Sequence, residues 1–120
     1  MVKILIGDDS AFMRKILKNI LAKEGYTDIS EASNGEEVIE KFIKEKPDVV
    51  LLDIIMEKKD GIETLKEIIK LDKNAKVIMV SAVGQEQMVK EAITIGAEDY
   101  IVKPFTPSKV VSSIKKCLGQ

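Results

Sequence analysis

Apolar residues fall along this chain in two alternating rhythms. Short, almost unbroken runs of Val, Ile, Leu and Met occupy residues 2–6, 49–52 and 77–80, each bounded by polar or turn residues. Runs of this kind read as strands buried on both faces, as in a parallel sheet. Residues 29–32, where apolar residues are sparse, read as a weak strand, and residues 100–102 as a short last one. Between the runs the apolar spacing changes to that of helices. Phe12, Ile16 and Ile20, with Met13, Leu17 and Leu21, form two rows on a first helix; Lys15, Lys18 and Lys23 lie on its other face, and Gly25 ends it. Asn34-Gly35-Glu36-Glu37 starts a second helix with core positions Val38, Ile39, Phe42 and Ile43, stopped before Pro47. Asp60 and Glu63 form a capping-box pattern ahead of Ile62, Leu65, Ile68 and Ile69. Met88, Val89, Ala92 and Ile93 mark a fourth helix ending at Gly96. Thr106-Pro107 opens a fifth, carrying Val110, Val111, Ile114 and Leu118.

Strand and helix therefore alternate five times, with short connections, no linker and no internal repeat. Alternation of this kind builds a parallel sheet with helices on both faces. The second strand is the poorest in apolar residues and belongs at an edge. Strands one, three and four belong inside. Strand order 2-1-3-4-5 satisfies this, giving a flavodoxin-like (βα)5 doubly wound α/β fold.

At 120 residues the chain suits one domain spanning 1–120, with one core. The 19 Lys and Arg are spread through the sequence against 20 Asp and Glu, for a net charge of -1, so no concentrated basic face for nucleic acid is expected. No apolar run approaches a membrane span, and strand one begins too early to leave room for a leader; no membrane association is expected. The lone Cys117 has no internal partner for a disulfide, which suits a reducing, cytoplasmic setting. The absence of histidine has the sharpest consequence. It removes Ser-His-Asp and Cys-His catalysis and histidine-ligated zinc together. Any chemistry rests on carboxylates, lysine, hydroxyls and a hard metal ion.

Open α/β sheets bind ligands at the carboxyl ends of their strands. Strand one delivers Asp8 and Asp9 to that edge, strand three Asp53, strand four Ser81 and strand five Lys103. Each alone is an ordinary residue: a helix-start acid, a turn hydroxyl, a surface lysine. Together they demand compensation, since one carboxylate pair ~4 Å apart repels by about 4 kcal/mol at an effective dielectric of ~20. Lys103 is one source of positive charge. A divalent cation such as magnesium, which takes a few carboxylates plus waters and a phosphate oxygen, is another.

These residues resemble, in order and context, the motifs of the response-regulator receiver domains: Asp8-Asp9, Asp53, Ser81-Ala82 and Lys103-Pro104-Phe105. The resemblance covers the whole chain. The stretch from Asp8 to Arg14 and the Ser81-Ala82-Val83-Gly84-Gln85 stretch are most similar to the stand-alone chemotaxis members. The resemblance implies that Asp53 is the phosphoacceptor, as a carboxylate nucleophile forming an acyl phosphate. It implies a Mg2+ site made by Asp9 directly, Asp8 through water, Asp53 and the backbone carbonyl of Ile55. Ser81 and Lys103 would contact the phosphoryl oxygens, and small Ala82 would leave the donor room. Lys103-Pro104 would be a cis peptide. Tyr100 would swing inward on activation, making Ser81, Ala82, Tyr100 and Pro104 the switch. The implied partners are a sensor histidine kinase of the chemotaxis type and a motor-switch or adaptor protein. The latter would dock on helix 4, strand 5 and helix 5, along Lys90, Ile95, Tyr100, Lys109 and Val110. A cytoplasmic monomer without an output domain, losing its phosphoryl group slowly rather than turning over as an enzyme, is the expectation. Two departures stand out: Glu57 where the family has proline, which predicts a less rigid loop, and Gly7 where it has a β-branched residue.

The same residues admit rivals. A phosphorelay intermediate would carry almost the same motifs. A Mg2+-dependent phosphohydrolase acting through an aspartyl phosphate needs an acid two residues after its nucleophile, where this chain has Ile55. A flavin module would have to place a phosphate against Asp8 and Asp9, which would repel it. A phosphorylation-independent interaction domain would have no use for the intact acidic cluster.

Overall fold

A computed structural model describes residues 1–120. Five strands, β1 (Lys3–Gly7), β2 (Asp28–Ala32), β3 (Val49–Asp53), β4 (Val77–Ala82) and β5 (Asp99–Lys103), alternate with five helices. These are α1 (Ala11–Lys23), α2 (Gly35–Glu45), α3 (Gly61–Leu71), α4 (Glu86–Ile95) and α5 (Pro107–Cys117). The strands form one parallel sheet in the expected order β2-β1-β3-β4-β5. Strand β3, apolar on both faces, lies at the centre with all five residues buried.

Side-chain alternation divides the core into two layers. Ile4, Ile6, Val49, Leu51, Ile78, Val80 and Ile101 face α1 and α5, where they meet Leu17, Leu21, Val110, Ile114 and Cys117. Leu5, Val50, Leu52, Val77 and Met79 face the other way, toward Val38, Phe42, Leu65, Ile68, Val89 and Ala92 of α2, α3 and α4.

Four helices start on a side-chain cap: Ser10, Asn34, Asp60 and Thr106 accept from the amides of Met13, Glu37, Glu63 and Lys109. Helix α4 is the exception, with no side-chain cap at Gln85. At Asp60 only the forward half of the expected capping box forms; Thr64 Oγ1 donates to the Asp60 carbonyl instead.

Several helix positions are more exposed than their spacing predicts. Phe12 is 73% exposed because α1 begins at the sheet's carboxyl edge, where its first turn has no strand beneath it. Ile43 and Ile93 are likewise exposed, whereas Cys117 enters the core.

Candidate functional site

Register builds the site. Gly7 pairs with Leu52, so Asp8, the residue that follows β1, comes level with Asp53. Asp53 pairs with Val80 and Lys103 with Ala82, two residues further along β4. The lysine's long side chain reaches back across that offset. Its Nζ stands 3.1 Å from Asp53 Oδ2 and 3.5 Å from Asp8 Oδ2. Asp53 Oδ1 accepts from the Ile55 amide at 3.3 Å, and Asp8 Oδ1 from the Ser10 amide at 2.9 Å.

Asp8 and Asp53 are buried, while Asp9 is exposed at the rim. Burial pushes the Asp53 carboxyl above its ordinary pKa, and neighbouring Asp8 adds to this; Lys103 and the Ile55 amide oppose it. For Lys103, burial alone would lower the pKa. Asp53 and then Asp8 more than offset this and hold it above the ordinary value. One cation thus faces two buried anions, and the balance of charge is incomplete.

The geometry shows where another cation fits. Oxygens of Asp8, Asp9 and Asp53 lie within 4.8 Å of one another. Asp8 Oδ2 is buried with no hydrogen-bond partner, and the Ile55 carbonyl accepts no backbone hydrogen bond. A buried carboxylate oxygen whose one charged neighbour, Lys103 at 3.5 Å, makes no hydrogen bond to it is costly. An all-oxygen set of this kind suits a hard divalent ion such as Mg2+.

The structure brings Asp8, Asp9, Asp53, Ile55 and Lys103 together but does not join Ser81 to them. Alternation along β4 turns Ser81 with Val77 and Met79 toward the α2–α4 side, whereas Asp53 follows Val49 and Leu51 to the other. Ser81, with Ala82, lines a groove of about 610 Å³ between α4 and β5, together with Val89, Lys90, Ile93 and Tyr100. Of the other residues expected along this face, Lys109 shares a neighbouring cleft with Tyr100 and Pro104. Val110 is fully buried against the sheet and Ile95 is half-buried against the core, and neither lines the groove. The Lys103-Pro104 peptide is cis.

Both departures from the family pattern have local explanations. A Cβ at residue 7 would come within 2.6 Å of Val38 Cγ2, so glycine there lets α2 pack closely. The loop carrying Glu57 is fastened without proline. The Gly61 amide donates to the Ile54 carbonyl at 2.7 Å, the Lys59 amide to the Glu57 carbonyl at 2.8 Å, and Lys59 pairs with Glu67. Gly61 sits so close that a Cβ would fall 2.2 Å from the Asp53 carbonyl oxygen. These contacts tie the loop in ways that local sequence does not reveal. Arg14 was another residue without a signal of its own: a base on a helix face, it bonds the backbone of Asp8.

Known proteins share this fold and much of this sequence. Residues 4–115 match the response regulator receiver domain. The chain is 54% identical to the chemotaxis protein CheY of Thermotoga maritima, over 95% of each chain. It is 49% identical to CheY of Bacillus subtilis, over 98% of each. Among solved structures, the receiver domain of NtrX from Brucella abortus superposes with a TM-score of 0.94 at 29% identity, covering 98% of this chain and 99% of that one. A chain of the CheX-CheY-BeF3-Mg+2 complex from Borrelia burgdorferi matches at 43% identity and a TM-score of 0.92, over 98% of this chain and 89% of that one. No helix is long and apolar enough to cross a membrane. The chain belongs to the response regulator receiver domains of two-component signalling, and among them it is CheY-like.

Proposed function

We propose that this receiver accepts a phosphoryl group on Asp53 from the phosphohistidine of a sensor kinase of the chemotaxis type. The observation that carries the reading is the buried Oδ2 of Asp8, which makes no hydrogen bond and shares the single Lys103 cation with Asp53, a charge arrangement that calls for a further cation. Asp8, Asp9, Asp53 and the Ile55 carbonyl would hold Mg2+. When bound, the ion supplies positive charge against the incoming phosphoryl oxygens. A carboxylate oxygen of Asp53 forms the new bond to phosphorus; the bond from phosphorus to the donor imidazole breaks, and its electron pair leaves with the imidazole. Lys103 neutralises developing charge on the transferred group. Exposed Ala82 leaves the approach open.

The output is a change in affinity for a downstream protein, a motor switch or adaptor. Ser81 turning toward the phosphoryl oxygens would vacate part of the groove it now lines and let Tyr100, 43% exposed, swing inward. Moving such a switch from about 1:99 to 99:1 requires ~5.5 kcal/mol of differential stabilisation. A 43% identical relative in a complex with BeF3, Mg+2 and the protein CheX supports a phosphorylation-linked partner. The protein acts as a monomeric, cytoplasmic signalling component that loses its phosphoryl group slowly, without the turnover of an enzyme. The phosphohydrolase alternative lacks its acid, because Ile55 occupies that position.

Treatment with acetyl phosphate and Mg2+, read by intact-protein mass spectrometry, tests the chemistry. One phosphoryl group is expected on the parent, none without divalent cation and none on Asp53→Ala. Unchanged labelling of Asp53→Ala would place the acceptor elsewhere.

A further inference from the structure

Asp8 and Asp9 are held very differently. The Asp8 carboxylate is buried and bonded to the Ser10 amide. Asp9 is exposed, and its side chain makes no hydrogen bond or ion pair, so its position depends on the backbone that carries it. That backbone is the peptide joining the two acids. On its near side, the Asp8 amide donates to the Ala32 carbonyl at 3.0 Å. On its far side, Arg14 Nη1 donates to the Asp8 carbonyl at 2.6 Å. Because a peptide unit is planar, fixing its carbonyl direction also fixes where the Asp9 amide points.

Arg14 is held in its turn. Its side chain is only 15% exposed, and Nε donates to Glu31 Oε1 at 3.0 Å, so the guanidinium bridges α1, β2 and the first loop. Glu31 takes Lys18 on its other oxygen at 3.1 Å, and its backbone carbonyl accepts Lys41 from α2. A planar guanidinium, with donors on separate nitrogens in fixed directions, suits this double duty; lysine carries its three donors on one nitrogen and cannot reproduce that spacing.

We propose that Arg14 is a positioning residue for the divalent-cation site, orienting the Asp8-Asp9 peptide and, through it, the Asp9 carboxylate, with Glu31 holding the guanidinium in place. The inference rests on the metal-dependent reading above. It adds a determinant of ion affinity that touches neither ion nor phosphoryl group. Partners in the shell behind metal ligands commonly change affinity by about 10- to 100-fold when removed.

Calorimetric titration of the whole chain with Mg2+ alone tests this, with thermal unfolding in parallel. Arg14→Met keeps the apolar stem and removes every donor; Mg2+ binding is expected to weaken by about 10-fold or more. Arg14→Lys should recover only part of this, and Glu31→Gln should weaken binding by less than Arg14→Met. Leu17→Val, a core change on the same helix, should lower the unfolding temperature and leave Mg2+ affinity at the parent's value. Parent-like affinity in Arg14→Met overturns the proposal while leaving the metal site intact. An affinity loss in Leu17→Val matching that of Arg14→Met also overturns it, by making the effect one of general stability. Failure of the parent to bind Mg2+ would overturn both this inference and the metal-dependent reading. Should Arg14→Met not fold, the Glu31→Gln titration decides, parent-like affinity again overturning the proposal.

Discussion

The two edges of the sheet are built on opposite plans. Edge strand β2 is tied from both faces: Glu31 holds Arg14 and Lys18 on the α1 side, while Ser30 bonds Glu45 and Lys41 reaches the Glu31 carbonyl on the α2 side. Edge strand β5 is tied mainly from one. Ser113 of α5 donates to Asp99 at 2.7 Å, but on the α4 side Tyr100 and Val102 are 43% and 39% exposed over the 610 Å³ groove. Helix α4 beside it lacks a side-chain cap, and Val83 in the preceding loop is 77% exposed. Charged ties on an edge strand discourage unwanted pairing. An edge left apolar and loosely covered is instead available to move or to be covered by a partner. The braced edge adjoins the acids that must keep their positions. The open edge carries Lys103 and the groove proposed to change.

The largest expected effect lies on the open edge. Lys103→Ala should remain phosphorylatable on Asp53, at a rate lower by about 100-fold, and should lose most of its phosphorylation-dependent partner binding. Time-resolved labelling and partner titration read the two effects. Partner binding equal to that of the phosphorylated parent would reduce Lys103 to a surface charge and remove the functional half of the contrast.

A smaller effect separates the ties themselves. Ser113 is 2% exposed, and Ser113→Ala leaves Asp99 without its buried donor, at a cost of about 1–2 kcal/mol in a urea melt. Ser30→Ala on the opposite edge should cost less than half as much, since water can replace the hydroxyl at a half-buried site. Equal losses at the two positions would mean that the edges are braced alike.

The smallest effect is one of pH. The hydrogen bond from Lys18, aided by Arg14, holds the Glu31 carboxyl below the usual carboxylate range against the opposing effect of burial. A lowered folded-state pKa gives stability that is present above the unfolded value of about 4.3 and lost as pH falls through the folded one. The stability gap between the parent and Glu31→Gln should therefore close as the solution is acidified from about pH 6 to about pH 3. A gap that stays constant in urea melts across that range would show that the β2 ties act through packing and not charge.

Much of this was legible in the chain alone. The rhythm of apolar runs determined the five strands and five helices, because burial on two faces or one leaves a local imprint on spacing. The poverty of residues 29–32 pointed to an edge, and the strand order followed. The carboxyl-edge positions of Asp8, Asp9, Asp53, Ser81 and Lys103 followed from element ends, which are local features too. Folding decided which of them meet. Lys103 and Asp53 stand 50 residues apart in sequence, and their contact depends on the registers of β3, β4 and β5. Tertiary packing also set Ser81 in the groove between α4 and β5, left Phe12 exposed and buried Val110 against the sheet. Gly7 and Arg14 show the same division most plainly. Residue 7 is small because Val38 approaches it, and Arg14 matters because a carbonyl and a carboxylate from two other segments converge on its guanidinium. Periodicity is written in neighbouring residues; close approach is a property of elements packed together, and only the tertiary structure contains it.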